Sequence, residues 1–441
     1  MSYNLKPYLQ LRDSGLPWIG QVPTHWNVFR NGRLFAQRNE TGFGELPILE
    51  VSLKTGVRVR DMDNLKRKQV MSDREKYKRA AQGDIAYNMM RMWQGAVGVA
   101  PVDGLVSPAY IVVRPFSEVD CRYFTYLFRT GFYMDEVDAY SRGIVKDRNR
   151  LYWQDFKRMP SIVPPLEEQR QIAKFLDLVG SKAQRFIRNK RRLIELLKEQ
   201  KQNIINQAVT RGLDPNVKLK PSGVEWIGDI PAHWEVRRLK FLARIRNGQD
   251  YKEVEAESGY PVMGSGGQFA YASAFMYEGE SVLFGRKGTI DKPLYINGRF
   301  WTVDTMFYTE VSKHISATFL YFSALSFPFD YYSTKTALPS MTQQDLGNHP
   351  VAFPPMDEQE LIIQHIEEES RLIDQAITRA VREIELMREY RTRLITDAVT
   401  GQVDVRGIEI PEVDEEGLTL DEGDYEASEI IDDELETEAE G

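Results

Sequence analysis

The sequence is poor in most of what catalytic, secreted and membrane proteins require. One cysteine, Cys121, stands in 441 residues, which excludes a disulfide framework and cysteine-based zinc sites and suits a reducing compartment. The five histidines, at 25, 233, 314, 349 and 365, form no His-x-x-x-His or other ligand spacing. No apolar run approaches the roughly 18 residues needed to span a bilayer, and Asn4, Lys6 and Arg12 interrupt any apolar start of the signal-peptide kind. No Gly-x-x-x-x-Gly-Lys-Ser/Thr phosphate loop occurs, and Gly264-Ser265-Gly266-Gly267 is not a dinucleotide fingerprint. The Pro-Pro pairs are followed by Leu166 and Met356, not by the aromatic residue of an adenine-methylating loop. The expectation is a non-catalytic cytoplasmic chain, with no cofactor of its own, no metal and no membrane partner.

Positive charge is absent from one segment only. From Ile408 to Gly441 there are 16 Asp or Glu and no Lys or Arg. The net charge of −8 therefore hides a mildly basic body, since residues 1–407 hold 57 basic and 49 acidic side chains, a net of +8. Such a tail (408–441) reads as a disordered solvating segment, or as one that competes with DNA for the basic body.

Glycine and proline are missing from a third place. Leu166 to Arg211 contains only Gly180 of the two types and follows Pro164-Pro165, a pair that suits a helix start because the missing N–H has no partner there anyway. Apolar residues recur in steps of four and three at Ile172, Leu176, Val179, Ala183, Phe186, Leu193, Leu197 and Ile204, with Lys190 and Gln200 as polar intruders. This predicts a heptad seam on a continuous helix, a rod of roughly 70 Å.

The rod occurs twice. Pro354-Pro355-Met356-Asp357-Glu358-Gln359 repeats Pro164-Pro165-Leu166-Glu167-Glu168-Gln169 at an offset of 190, and Ile366, Ile373, Ile377, Ala380, Ile384, Met387 and Leu394 form a second stripe. Asp397-Ala398-Val399-Thr400 closes it as Gln207-Ala208-Val209-Thr210 closes the first. Upstream, Ser14-Gly15-Leu16-Pro17-Trp18-Ile19-Gly20 with Pro23, His25 and Trp26 returns 208 residues later as Ser222-Gly223-Val224-Glu225-Trp226-Ile227-Gly228 with Pro231, His233 and Trp234. His25 has no cysteine or carboxylate near it in the sequence, so it reads as a structural hydrogen-bonding group in a packing corner.

The order is globular region, rod, globular region, rod. The expected boundaries are a leader at 1–13, domains at 14–163 and 222–352, and rods at 164–212 and 354–402. Within the globular regions, short β-prone runs alternate with turns: Leu46–Leu53, Asp84–Tyr87, Val97–Pro101 and Tyr110–Val113 in the first region, Ser281–Phe284 and Thr302–Tyr308 in the second. Helical patches fall at Cys121–Thr130 and Trp153–Lys157. Each region is expected to be a mixed α/β fold with a curved sheet.

What remains for function is binding. Arg91, Trp93 and Gln94 follow a strand in a turn-like stretch, and Arg142 and Lys146 lie in a basic run. Arg286-Lys287-Gly288 puts two cations beside a glycine that lets backbone approach a phosphate, and Lys335 lies in a loop near the close of the second region. These are either DNA contacts or solvated turn charges; composition does not separate the two.

The doubled Ser-Gly-x-x-Trp-Ile-Gly-x-x-Pro-x-His-Trp, the doubled Pro-Pro-x-x-Glu-Gln and the doubled Ala-Val-Thr resemble the specificity subunit of type I restriction–modification enzymes, from Ser14 to about Gly407. Asp84 to Gly95 and Phe284 to Gly288 are similar to stretches of that family's target-recognition domains. The resemblance implies two target-recognition domains, each reading half of a bipartite, asymmetric double-stranded DNA site, and two rods paired antiparallel as a coiled coil that sets the spacer. The seam would include Ile172, Leu176, Phe186, Leu193 and Leu197 against Ile366, Ile373, Ile384 and Leu394. It further implies two methyltransferase subunits using S-adenosylmethionine, and restriction subunits using ATP and Mg. On this reading DNA contacts fall on Arg91, Trp93, Arg142, Lys146, Arg286, Lys287, Gly288 and Lys335. The rivals are a coiled-coil scaffold whose lobes bind proteins, a stand-alone nuclease or methyltransferase, and an inactive orphan copy.

Overall fold

The computed structural model describes residues 5–53, 55–60, 74–143, 149–332 and 339–411. It divides into two compact units. The first takes the described residues up to Ile187 together with those from Ile384 onward, and the second runs from Arg188 to Glu383.

In the first unit an antiparallel sheet of four strands has the order Phe35–Arg38, Tyr110–Pro115, Ile85–Asn88, Val97–Val99. Strand alternation serves two cores. Ile85, Tyr87, Ile111 and Val113 face the main core, while Ala86 and Val112 face a smaller one with Leu49, Val57 and Val106. The helix Cys121–Phe128 covers the main core with Tyr123, Phe124, Leu127 and Phe128 and starts where the Asp120 carboxylate accepts the Arg122 and Tyr123 amides. A further helix, Gly131–Tyr140, is capped by Thr130. The strand Pro160–Val163, just before the first rod, pairs antiparallel with Asn27–Arg30.

The second unit carries a seven-stranded sheet in the order Ala243–Asn247, Met306–Val311, Tyr277–Gly285, Leu294–Thr302, Tyr260–Gly264, Gly267–Ala272, Glu255–Ala256. Only Tyr260–Gly264 and Leu294–Thr302 run parallel. The expected strand Thr302–Tyr308 is two strands: Thr302 ends one, Met306 begins the next, and a turn closed by the Met306 amide on the Val303 carbonyl (3.0 Å) separates them. Pro350–Phe353, before the second rod, pairs with Glu235–Arg238 as its counterpart does in the first unit. Each unit is thus a mixed α/β fold.

The rods are single helices, Leu166–Arg211 of 46 residues and Met356–Val399 of 44. Within the second unit Lys190 pairs with Glu383 and Lys201 with Asp374 at 2.8 Å, so the helices run antiparallel there. In the first unit Ile172, Leu176 and Val179 share a core with Leu394, Ala398 and Val399, which is the same sense. The seam of the first rod departs from the expected heptad. Ile172, Ala183, Ile194 and Ile205, each eleven apart, are all at most 2% exposed, whereas Leu193 is 39% exposed and Phe186 and Leu197 are half-buried. A heptad stripe drifts about 20° per repeat on a straight helix, so by Leu193, three heptads after Ile172, it has turned about 60° away. An eleven-residue spacing drifts by about 20° per repeat in the opposite sense, so Ile194, two repeats on, stays within about 40° of Ile172. The second rod keeps Ile366, Ile373, Ile384 and Leu394 buried.

Candidate nucleic-acid interface

The doubled Glu-Gln at each rod start is a latch. In the first unit Glu168, nearly buried, accepts from Tyr8 Oη (2.5 Å), Trp26 Nε1 (3.0 Å) and His25 Nε2 (2.8 Å). The carboxylate partner of His25 therefore comes from 143 residues away. Gln169 accepts from the Asp120 amide and donates to the Glu118 and Pro164 carbonyls. In the second unit Glu358 accepts from His233 (2.6 Å) and Trp234 Nε1 (2.9 Å), and Gln359 accepts from the Ser316 amide and donates to His314 and Pro354. Gln169 and Gln359 each meet the residue that caps a covering helix, Asp120 or Ser316.

The same indoles receive the end of a rod. Gly401, at φ 75°, lies against Pro23 and Trp26, and Gly212, at φ 70°, against Pro231 and Trp234. Both adopt the left-handed conformation that glycine tolerates after a helix. Each unit is thereby fixed to the start of one rod and the end of the other, and side chains on its loops inherit that rigidity.

At one end of each sheet the chain builds the same two-loop construction. In the first unit the turn after Ile85–Asn88 is joined to the segment before Trp153–Phe156 by the Leu151 amide on the Met89 carbonyl (2.8 Å). In the second, the turn after Tyr277–Gly285 is joined to the segment before Gln343–Asn348 by the Met341 amide on the Arg286 carbonyl (3.0 Å) and the Gly288 amide on the Pro339 carbonyl (2.9 Å). Of the expected DNA residues that are described, Arg91 and Arg286 to Gly288 fall on these turns, and Arg142 bridges through backbone to Arg150, next to Leu151.

Their individual states differ. Arg91 is exposed at the start of the Met92–Gln94 turn. Trp93 is half-buried against the first core with its indole N–H on the Met90 carbonyl (3.0 Å), so its primary engagement is structural. Arg142 is exposed and ion-paired to the nearly buried Asp155. Lys146 and Lys335 lie outside the described residues. Arg286 is half-buried, its amide on the Thr305 carbonyl (2.7 Å) and its Nη1 on the Asp304 carbonyl (3.3 Å). Lys287 is exposed and bridges to Ser340 through backbone. Gly288 has φ 84° with nothing within 4 Å of where a Cβ would stand, so an open backbone flanks two cations.

A family model for the type I restriction modification DNA specificity domain matches residues 231–383. The putative type I restriction enzyme MjaX specificity subunit of Methanocaldococcus jannaschii is 24% identical over 431 residues, 88% of this chain and 96% of that protein. Over most of its length the chain is similar to a type I restriction enzyme specificity subunit. The MjaVIII specificity subunit of the same organism is 35% identical over 100 residues, 23% of this chain and 22% of that protein. The fold likeness extends to an HsdS subunit from Thermoanaerobacter tengcongensis, with a TM-score of 0.53 at 15% identity, covering 86% of this chain and 98% of that one. A chain from a structure of a type I R-M system gives 0.68 at 14% identity with the same coverage.

Among the described residues no group of three or more His, Cys, Asp or Glu could hold a metal ion, and no helix is long and apolar enough to cross a membrane. Sequence reading missed the latch carboxylates as partners of His25 and His233. The signal was there: Glu168-Gln169 and His25-Trp26 are both duplicated, and duplicated motifs far apart in sequence are candidates to meet.

Proposed function

We propose that each unit reads one half of a bipartite, asymmetric double-stranded DNA site and that the paired rods set the number of unread bases between the halves. One observation carries this: each unit presents its own copy of the two-loop construction, with exposed cations, on a scaffold latched to both rods. Arg91 and Arg142 serve one half-site and Arg286, Lys287 and Gly288 the other, with Lys146 and Lys335 assigned from sequence to the same loops. Two methyltransferase subunits dock around the rods, bringing S-adenosylmethionine to one adenine in each half-site, and restriction subunits bring ATP and Mg. Leu193, Leu196, Leu361 and Leu372, all exposed on rod faces of the second unit, support a protein-docking role for the rods. A cleft of about 840 Å³ in that unit, lined by Ile205, Tyr321, Phe322 and Leu325 with Arg371 and Arg379, supports it further.

The test is duplex-DNA binding by the full chain with its methyltransferase subunits across a salt series. Arg286→Ala is expected to relax choice at one position, as a lost base contact costs about 1–3 kcal/mol, whereas Lys287→Ala is expected to lower the salt slope by about one. Binding with no salt dependence and no response to either change contradicts the reading.

A further inference from the structure

The Asn247-Gly248-Gln249 turn of the second unit is held more firmly than an ordinary surface turn. A Cβ on Gly248 would lie 2.0 Å from the Val303 carbonyl oxygen, so only glycine lets this backbone press against the Val303 turn. The Gly248 amide donates to the Met306 carbonyl at 3.0 Å and the Gln249 amide to the Thr302 carbonyl at 2.9 Å. Trp301 Nε1 then donates to the Gln249 carbonyl at 3.0 Å. Both backbone groups of Gln249 are fixed. Its side chain is exposed, and its amide makes no hydrogen bond among the described residues.

The same short segment anchors the cationic turn. Arg286 and Lys287 both donate their amides to the Thr305 carbonyl. Thr302 and Thr305 are three residues apart, and three residues of chain span at most about 10 Å. With the two hydrogen bonds added, the Gln249 and Arg286 backbone nitrogens lie within about 16 Å of one another, a span of roughly five base pairs at 3.4 Å per step.

We propose that Gln249 is a base-reading residue of the second unit and that it recognises an adenine in the major groove. A glutamine amide pairs bidentately with the N6 donor and N7 acceptor of adenine, and lysine or arginine does not match that pattern. Held by its backbone and free at its side chain, Gln249 keeps a reading group in place without ordering cost to the main chain, while the neighbouring cations hold phosphate or guanine. This assignment rests on the DNA-reading role proposed above for that end of the unit.

The experiment is selection of bound duplexes from a pool randomised over both half-sites, using the full chain with its methyltransferase subunits. Wild type is expected to enrich a bipartite motif. Gln249→Ala is expected to lose adenine preference about tenfold at one position of one half-site and to keep every other position. Gln249→Glu is expected to move that same position toward cytosine, whose N4 amine a carboxylate accepts. An unchanged profile in both variants overturns the proposal, and so does an equal loss at all positions, which marks a structural role. Failure of wild type to enrich any motif is a different result, and it overturns the DNA-reading assignment itself.

Discussion

The two units solve one problem with different chemistry at corresponding positions. With the 190-residue offset of the rod starts, Met159 in the first unit corresponds to His349 in the second, each just before the strand that leads into a rod. Their backbones do the same work: the Met159 carbonyl accepts from the Asn31 amide and the His349 carbonyl from the Leu239 amide, both at 2.9 Å. Both side chains are buried. His349 lies 3.7 Å from the Phe327 ring and stacks near Trp226, and burial pushes its pKa down to about 3. The first unit fills this place with an unchargeable side chain; the second fills it with a group that acid can charge. Equal backbone duty does not fix the side chain, and the penalty appears only at low pH.

The largest expected effect follows. A histidine depressed from 6.5 to about 3 stays neutral when folded while the unfolded chain takes a proton. Its stabilising contribution is complete above pH 6.5 and is lost progressively as pH falls toward 3, up to roughly 4–5 kcal/mol. Unfolding followed by a probe in the second unit should show this slope, and His349→Met should flatten it. An unchanged slope contradicts the account of that site.

Next come the rods. Ile194→Ala is expected to destabilise by about 2–4 kcal/mol and Leu193→Ala by no more than about 0.5. The reverse order in denaturant unfolding would restore the heptad frame. The latches differ in depth. Glu168 is 5% exposed with three donors, and Glu358 is 33% exposed with two. Glu168→Ala should therefore cost about 2–3 kcal/mol and Glu358→Ala about 1, because only the first strands several buried donors. The smallest contrast is at the helix ends. A Cβ at Gly401 would meet Pro23 Cδ at 2.4 Å, while at Gly212 the nearest atom is Trp234 Cζ2 at 3.2 Å. Gly401→Ala should cost about 2 kcal/mol and Gly212→Ala about 1, both from positive φ and the first also from overlap.

Much of this architecture was legible in the sequence because it is written locally. Helix starts at Pro-Pro, the absence of Gly and Pro, and strand runs such as Tyr110–Val113 inside Tyr110–Pro115 need no distant partner. The duplicated blocks marked what is structural. What escaped depends on long-range geometry. The heptad frame failed because small angular drift accumulates over a helix of 46 residues. The helix Gly131–Tyr140 was missed because it opens on glycine and buries only Tyr133 and Val137, while Phe132, Met134, Ala139 and Tyr140 stay exposed or partly exposed, leaving a blurred period. Gln249 carries no local mark in the sequence, since only the fold sets its backbone on Thr302.

The central proposal is that this chain chooses DNA sequence for a methylating complex. Genome-wide adenine-methylation mapping in the native host, with and without this gene, tests it most directly. The account predicts a bipartite motif with a fixed gap that disappears on deletion. A methylome unchanged by the deletion would contradict it.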